Sequence, residues 1–289
     1  MNPCLSVLAS ASLLALVSIG PARAQGFDFS GGGSREPIAV EADNGIEWQQ
    51  NTNQFIARGN AVATRGRMKV HADILTAYYR EKDGKSEIYR LDADGNTIIT
   101  SPTEKVVGKS ATYDIDKAVL VVRGGGKPVV MTTQTDQVIA NETLEYWEQR
   151  RQAVARGGAK AIREQKQIQA DTLTGEFKQN DKGALVLSTS QAFGNVLLTT
   201  PSEVITGDRG LYNLETGIAT LTGSVKITRS DNQLNGGYAQ VNLNTGISQL
   251  FASAPGQGKQ AGGRQRVQGL FTPERKSAPE APPSAESGR

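Results

Sequence analysis

A glycine followed at a fixed distance by a small residue and a polar one recurs along this chain of 289 residues. The pairs, fourteen residues apart in each case, are Gly59 with Asp73, Gly95 with Lys109, Gly157 with Asp171, Gly194 with Asp208, and Gly223 with Gly237. A weaker copy starts at Gly126. Successive copies begin about 30 to 37 residues apart, a spacing typical of stacked repeats. Chance would rarely keep one offset through five copies, so the pattern predicts about six copies of one unit.

Within each unit the apolar residues alternate with polar ones. In the clearest copy, Met68, Val70 and Ile74 fall on one face of an extended chain, while Lys69 and His71 fall on the other. Glycine-containing turn pairs separate the alternating runs, and only 6% of residues are aromatic. The sequence therefore predicts an all-β fold of strand-turn-strand units over residues 38–252.

The segment 141–169 is open to two interpretations. Leu144, Trp147 and Arg151 have helical spacing, whereas the repeat that starts at Gly157 favours strands. We predict two strands joined by a polar turn at 148–151. Three arginines in this region, Arg150, Arg151 and Arg156, either form a solvated surface or make a rim that contacts phosphate groups.

Both ends of the chain differ in composition from the repeats. Residues 1–24 resemble a signal peptide, and Ala22-Arg23-Ala24 matches the small-x-small pattern before a cleavage site, although an uncleaved anchor is the alternative. The mature chain is expected to start at Gln25 without cysteine. Residues 25–37 are predicted to be a flexible linker and residues 253–289 a disordered tail, because both are rich in glycine, serine or proline.

Catalytic and metal-binding motifs are not apparent. His71 is the single histidine of the chain and is expected on the polar face of a strand. Nucleophile triads, zinc motifs and phosphate loops do not occur in the sequence, so we expect neither an enzyme nor a cofactor. The net charge of +3 also gives no footprint for nucleic-acid binding.

The repeated motifs resemble those of the OstA/LptA family of periplasmic lipopolysaccharide-transport proteins. The resemblance covers residues 38–250 and is carried by Gly59-Asn60-Ala61-Val62, by Val70-His71-Ala72-Asp73-Ile74-Leu75, by Gln167 to Leu173, by Gly194-Asn195-Val196 with Ile205 to Asp208, and by Leu221 to Ile227. It implies an open V-shaped β-jellyroll in the periplasm, and a non-enzymatic protein that shields the acyl chains of lipopolysaccharide while bridging the inner and outer membranes. It also implies LptC-like and LptD-like partners and head-to-tail self-association.

Two sets of residues follow from alternation within this expected fold. Val70, Ile98, Val225 and Ile227 are predicted to line the lipid groove. Ile38 and Val40 in the first strand, and Val241 and Leu243 in the last strand expected over 241–250, are predicted to pair with other chains through free strand edges. One alternative is a structural or adhesive β-solenoid with a closed, dry core, which would not take up a fluorescent fatty acid. Another, a polysaccharide-active β-helix enzyme, would need clustered carboxylates with exposed aromatic residues.

Overall fold

The structure is a computed structural model that describes residues 38–181, 183–255 and 266–271. The predicted signal peptide and linker lie outside the described residues, as do 256–265 and 272–289 of the predicted tail. Eighteen strands make up most of the described chain, which confirms the all-β prediction. Only two single turns of 3-10 helix interrupt them, at Gln50–Thr52 and Glu148–Arg150.

All strand pairs are antiparallel, and most strands pair with the one that follows them along the chain. The first nine are β1 (Ala39–Glu41), β2 (Ile46–Gln49), β3 (Gln54–Arg65), β4 (Met68–Lys82), β5 (Lys85–Thr100), β6 (Glu104–Asp114), β7 (Val119–Arg123), β8 (Val129–Thr133) and β9 (Asp136–Ala140). The other nine are β10 (Thr143–Trp147), β11 (Gln152–Arg163), β12 (Lys166–Gln179), β13 (Leu185–Thr199), β14 (Val204–Asn213), β15 (Ile218–Arg229), β16 (Asn232–Asn242), β17 (Ile247–Phe251) and β18 (Gln268–Leu270).

Each long strand is divided near its middle by a break in register. The breaks fall at equivalent points, such as between Arg58 and Ala61 in β3 and between Thr222 and Val225 in β15. At the same level, short loops separate β7 from β8 and β9 from β10. The breaks divide the sheet into two arms. Arm A contains β2, β7, β10, β17 and the halves of the long strands paired with them; arm B contains β1, β8, β9, β18 and the remaining halves. The fold is thus a β-jellyroll of the LptA type, as the resemblance implied.

The repeated glycine produces these breaks. Gly95 has a φ of +78°, and the next residue, Asn96, is also left-handed at +44°. The Asn96 amide donates to the Asp73 carboxylate at 3.0 Å, and Asn195 bonds to Asp171 in the same way at 2.9 Å. A Cβ on Gly95 would lie 2.0 Å from the Asp73 carboxylate, so only glycine fits. The acid of one unit therefore holds the bulge of the next, which explains why both residues recur.

Two predicted regions can be compared directly with the strands. Segment 141–169 forms strands β10, β11 and the start of β12, with a turn at Glu148–Arg150, so the strand interpretation is confirmed. Part of the predicted tail is ordered, since β18 pairs with the start of β16. The prediction of disorder was wrong for Gln268–Leu270, because the alternation of so short a segment is not visible in a glycine-rich tail. No helix in the described residues is long and apolar enough to cross a membrane.

Candidate functional site

The inner face of arm B is built from three parallel rows of side chains. The row beside the bulges is made of small residues: Ala61, Ala72, Thr97, Gly108, Val129, Ala140, Ala159, Ala170, Val196, Gly207, Val225 and Gly236. Further from the bulges runs an aliphatic row: Ala63, Val70, Ile99, Val106, Met131, Val138, Ala161, Ile168, Leu198, Ile205, Ile227 and Leu234. Small side chains beside the bulges let the two arms approach each other where they join.

Arm A presents larger side chains to the same space. Tyr113, Leu120 and Tyr146 are direct cross-strand neighbours on its inner face, and Tyr212 lies further along the same row. Phe177 lies one level closer to the hairpin ends and packs edge-on against Tyr146, with ring centroids 6.1 Å apart. Side chains from both arms belong to one continuous apolar cluster.

A cavity of about 240 Å³ lies between the arms. Apolar side chains supply most of its walls: Val106, Met131, Val138, Ala161, Ile168 and Leu198 from arm B, and Leu120, Leu144, Tyr146, Ala153, Phe177 and Leu221 from arm A. This space between the arms is the candidate site, and we call it the groove.

Charged residues occupy the third row of arm B, at the hairpin ends. This mouth row includes Arg65, Glu104, Asp136, Arg163, Lys166, Glu203 and Arg229. Arg163 binds Asp136 through two nitrogens, at 2.5 Å and 2.8 Å, and this bonding raises the pKa of the Arg163 guanidinium above its usual value. The mouth is therefore polar where the wall behind it is apolar.

Two contacts of the mouth row reach across to arm A. Lys166 donates from Nζ to the backbone oxygen of Leu243 at 3.0 Å. The buried carboxylate of Glu203 accepts hydrogen bonds from Arg229 at 3.0 Å and from the hydroxyl of Ser248 in β17. Both contacts lie toward the carboxyl-terminal end of the strand array, and there they connect the two hairpin edges.

Glu104 occupies the same position in the mouth row but lacks these partners. Glu104 is 7% exposed to solvent, and it lines the cavity. Burial raises the pKa of its carboxyl to about 8. The cross-strand neighbour is Thr133, whose hydroxyl is occupied in the turn between β8 and β9.

Three of the four predicted groove residues face inward. Val70 and Ile227 are members of the aliphatic row, and Val225 belongs to the small row and is 1% exposed. Ile98 was assigned wrongly, because it pairs with His71 and Val107 on the outer face. Alternation is continuous along β5, where Ala93, Thr97 and Ile99 are the buried residues, so the inward residue at this level is Ile99.

Among the predicted edge residues, those at the amino-terminal end lie where expected. Ile38 and Val40 are about two-fifths exposed, and β1 pairs with β3 alone in the described chain. Val241 is not an edge residue, since it lies in β16 between β15 and β17 and is 1% exposed. Leu243 lies in the turn after β16 and lines the groove. Strands β17 and β18, which follow Val241 in the chain, both pair with β16, so they form the carboxyl-terminal edge.

The three arginines of the predicted phosphate rim do not come together. Arg150 stacks on Trp147 at the end of arm A, 5.0 Å from the ring centroid, and Arg151 lies next to it in the left-handed conformation. Arg156 lies near the bulges and bonds to Glu145 at 2.8 Å. Burial tends to raise the pKa of Glu145, but the bonds from Arg156, Trp147 and Thr143 together lower it. The inward basic residues are instead Arg65, Arg163, Lys166 and Arg229.

The mouth row was missed by reasoning from the sequence, although a signal for it exists. The tetrapeptides Ser101 to Glu104 and Thr200 to Glu203 are near-identical turns in which the backbone NH of the acid bonds to the first hydroxyl. Glu104 is the first residue of β6 and Glu203 immediately precedes β14. Each lies two residues before an inward aliphatic one, so its side chain also points inward.

Comparison with known proteins finds a matching family for this chain. The family model described as LptA/(LptD N-terminal domain) LPS transport protein matches twice, at residues 39–149 and 137–247. A crystal structure described as LptH, the LptA homologous periplasmic component of the lipopolysaccharide transport device from Pseudomonas aeruginosa, is 13% identical, with a TM-score of 0.22 and coverage of 82% of this chain and 96% of that one. No curated protein matches. Because the two family matches together span most of the chain, it belongs to the LptA/LptD amino-terminal-domain family of lipopolysaccharide-transport proteins.

Proposed function

We propose that the protein carries lipopolysaccharide through the periplasm with its acyl chains held in the groove between the arms. The observation that supports this most directly is the cavity, whose walls are apolar from both arms while its mouth is charged. Such a division suits an amphipathic ligand, because its acyl chains would leave water while its polar sugar and phosphate groups stay at the mouth. Each methylene group buried this way contributes about 0.8 kcal/mol.

The same protein would bridge the inner and outer membranes by strand pairing. The edges at β1 with β2 and at β17 with β18 carry exposed apolar residues, among them Ile46, Trp48 and Leu270. An unpaired strand edge can bind another strand through backbone hydrogen bonds. Pairing of one edge with the opposite edge of a second copy, or with LptC-like and LptD-like partners, would place successive grooves in line.

Site-specific crosslinking tests the groove. A photoreactive amino acid at Met131, which lines the cavity, should crosslink to lipopolysaccharide, whereas the same group at Thr132 should not. The two residues are adjacent in β8 and point to opposite faces, so they match in depth along the strand. Equal crosslinking from both positions, or from neither, would contradict the proposal.

Sedimentation tests the bridge. Wild-type protein should form oligomers that grow with concentration, and Val40→Pro should reduce them because proline cannot donate to a new strand ladder. A wild-type protein that stays monomeric over a wide concentration range would refute self-association and leave the groove unaffected. Uptake of a fluorescent fatty acid separates the carrier from the alternative, a β-solenoid with a dry core.

A further inference from the structure

We propose that Glu104 is a polar subsite of the groove, where its carboxyl group donates a hydrogen bond to a carbonyl oxygen of the bound lipid's acyl linkage. This proposal rests on the proposed function, since it names a contact inside the same groove. Glu104 is a buried residue with no role in the family description, and it is not among the site residues predicted from the sequence.

The first support is the isolation of the Glu104 side chain. In the described part of the chain, no side-chain or backbone group hydrogen-bonds to its carboxyl group, while the backbone NH of Glu104 is held by the Ser101 hydroxyl at 3.1 Å. A buried polar side chain without a partner costs free energy, so native proteins rarely keep one. The residue is more than nine-tenths buried and lines the cavity, which leaves the groove as the direction from which a partner can come.

The second support is the contrast with Glu203. Glu104 begins β6 and Glu203 immediately precedes β14, each after the same kind of turn, and both are buried. Glu203 is neutralised by Arg229 across the strand pair. Glu104 faces Thr133 at the corresponding position, and Thr133 donates instead to the backbone oxygen of Asp136. The chain thus supplies a partner for one acid and omits it for the other, next to the cavity.

The chemistry of the surroundings selects a neutral acceptor as the ligand group. Val106 and Met131 lie beside Glu104, and burial raises the pKa of its carboxyl to about 8, so at neutral pH the group is mainly protonated. A protonated carboxyl has an O–H to donate, and the ester and amide carbonyls that attach acyl chains accept such bonds. An amine on the ligand fits less well, because Arg163 and Lys166 already bring positive charge to the same cavity.

Other charged or titratable groups around the cavity must be distinguished from Glu104. They are Asp136, Glu145, Tyr146, Arg163, Lys166 and Tyr212. Asp136 is paired with Arg163, Glu145 with Arg156, and Lys166 donates to a backbone oxygen. Strands β5 and β8, on either side of β6, place Ser101 and Thr133 next to Glu104, and neither titrates in this range.

The experiment compares two fluorescent lipid probes of equal chain length, one amide-linked and one ether-linked. At about pH 6.5, wild type should bind the amide probe about fivefold more tightly than the ether probe, because one net hydrogen bond changes affinity by about that factor. The preference should disappear at about pH 9.5, where the carboxyl is ionised. Glu104→Gln, which keeps a donor, should retain the preference at both pH values, and Glu104→Leu should lose it while still binding the ether probe. Glu81→Gln, at an exposed position, should behave as wild type.

The outcomes separate the subsite from the groove itself. If wild type binds neither probe, the lipid-carrying function fails, and the subsite fails with it. If it binds both equally at low pH, or if Glu104→Leu keeps the amide preference, the subsite alone is refuted. A preference that grows with rising pH, or one lost equally in Glu104→Gln, would also refute a carbonyl ligand, because the ionised carboxylate or another group would then make the contact.

Discussion

The two halves of the chain that match the same family model have nearly the same backbone. The second match begins 98 residues after the first, at 137 compared with 39. Strands β3 and β11 show the same succession of buried and exposed residues along their twelve positions. Each follows a single 3-10 turn that ends in a left-handed residue, Asn53 in one half and Arg151 in the other. The bulges and turns are therefore properties of the repeated unit.

The halves differ in the side chains that face the groove. In the amino-terminal half Phe55 packs between Trp48 and Tyr79, with ring centroids 5.4 Å and 5.1 Å away. Alanine, at Ala153, stands at the matching position of the carboxyl-terminal half, and it lines the cavity. In the mouth row, Thr133 corresponds to Arg229 by strand position. One backbone thus carries a ring at one position and a small side chain at the matching one, and a hydroxyl in place of a guanidinium, so a few substitutions distinguish the two halves of the groove.

The largest expected effect is on the buried acid of the amino-terminal half. The folded-state pKa of Glu104, about 8, lies above the usual 4.5, so the folded protein holds a proton that the unfolded chain releases. Its contribution to stability is present below about pH 4.5, falls as pH rises toward 8, and stays lost above it. Glu104→Gln should therefore raise the free energy of unfolding by about 2 to 5 kcal/mol above pH 8 and by almost nothing at acidic pH.

Urea unfolding at several pH values measures this gain. Thr133→Arg, which copies Arg229 into the first half, should also stabilise the protein above pH 8 by giving Glu104 a counter-ion. If neither variant changes the pH dependence of unfolding, then the buried carboxyl of Glu104 does not destabilise the protein above pH 8 for want of a counter-ion.

The corresponding acid of the second half should respond in the opposite direction. Arg229→Met removes the counter-ion of Glu203, whose side chain is 3% exposed, and should lower the free energy of unfolding by about 2 to 3 kcal/mol. Arg80→Met is the control, since Arg80 and its partners Asp116 and Glu87 are all more than a third exposed, and its loss should change the free energy of unfolding much less. Equal losses in the two variants would mean that burial of the pair is unimportant.

Much of the fold followed from the sequence, whereas the site followed only in part. Alternation and the repeated glycine predicted the strands, and Val70, Val225 and Ile227 were assigned to the inner face. The assignment of Ile98 was wrong, because Ile98 and Ile99 are both apolar and hydrophobicity at that point of β5 does not distinguish the two faces. The mouth row depends on which strands pair with each other. Glu203 and Arg229, for example, are 26 residues apart in the chain, and local sequence patterns do not contain that information.

A larger side chain at Ala153, which lines the cavity, should reduce binding of lipid. Ala153→Phe places a ring where Phe55 stands in the other half, so the backbone should accept it at a cost of about 1 to 3 kcal/mol from crowding. Uptake of a fluorescent fatty acid should fall at least about tenfold, equivalent to about 1.4 kcal/mol. Ala155→Phe lies on the same strand and face but one level nearer the bulges, and it tests whether any added ring has this effect. Unchanged uptake in Ala153→Phe would place the acyl chains elsewhere.

The smallest expected effect concerns the bulge itself. In the first half Asn60, with a φ of +44°, donates from its amide to the Asp43 carboxylate at 2.7 Å. The matching positions in the second half are Gly158 and Asn141, and a Cβ on Gly158 would lie 3.3 Å from the Asn141 amide. The double variant Asn141→Asp with Gly158→Asn should recreate the bond and stabilise the protein by about 0.5 to 1 kcal/mol, because asparagine tolerates the left-handed conformation better than other side chains.

Gly158→Ala provides the control, since alanine at a φ of +67° is strained and has no amide to donate. Equilibrium unfolding would measure both; a double variant no more stable than Gly158→Ala would show that the second bulge does not have the geometry of the first.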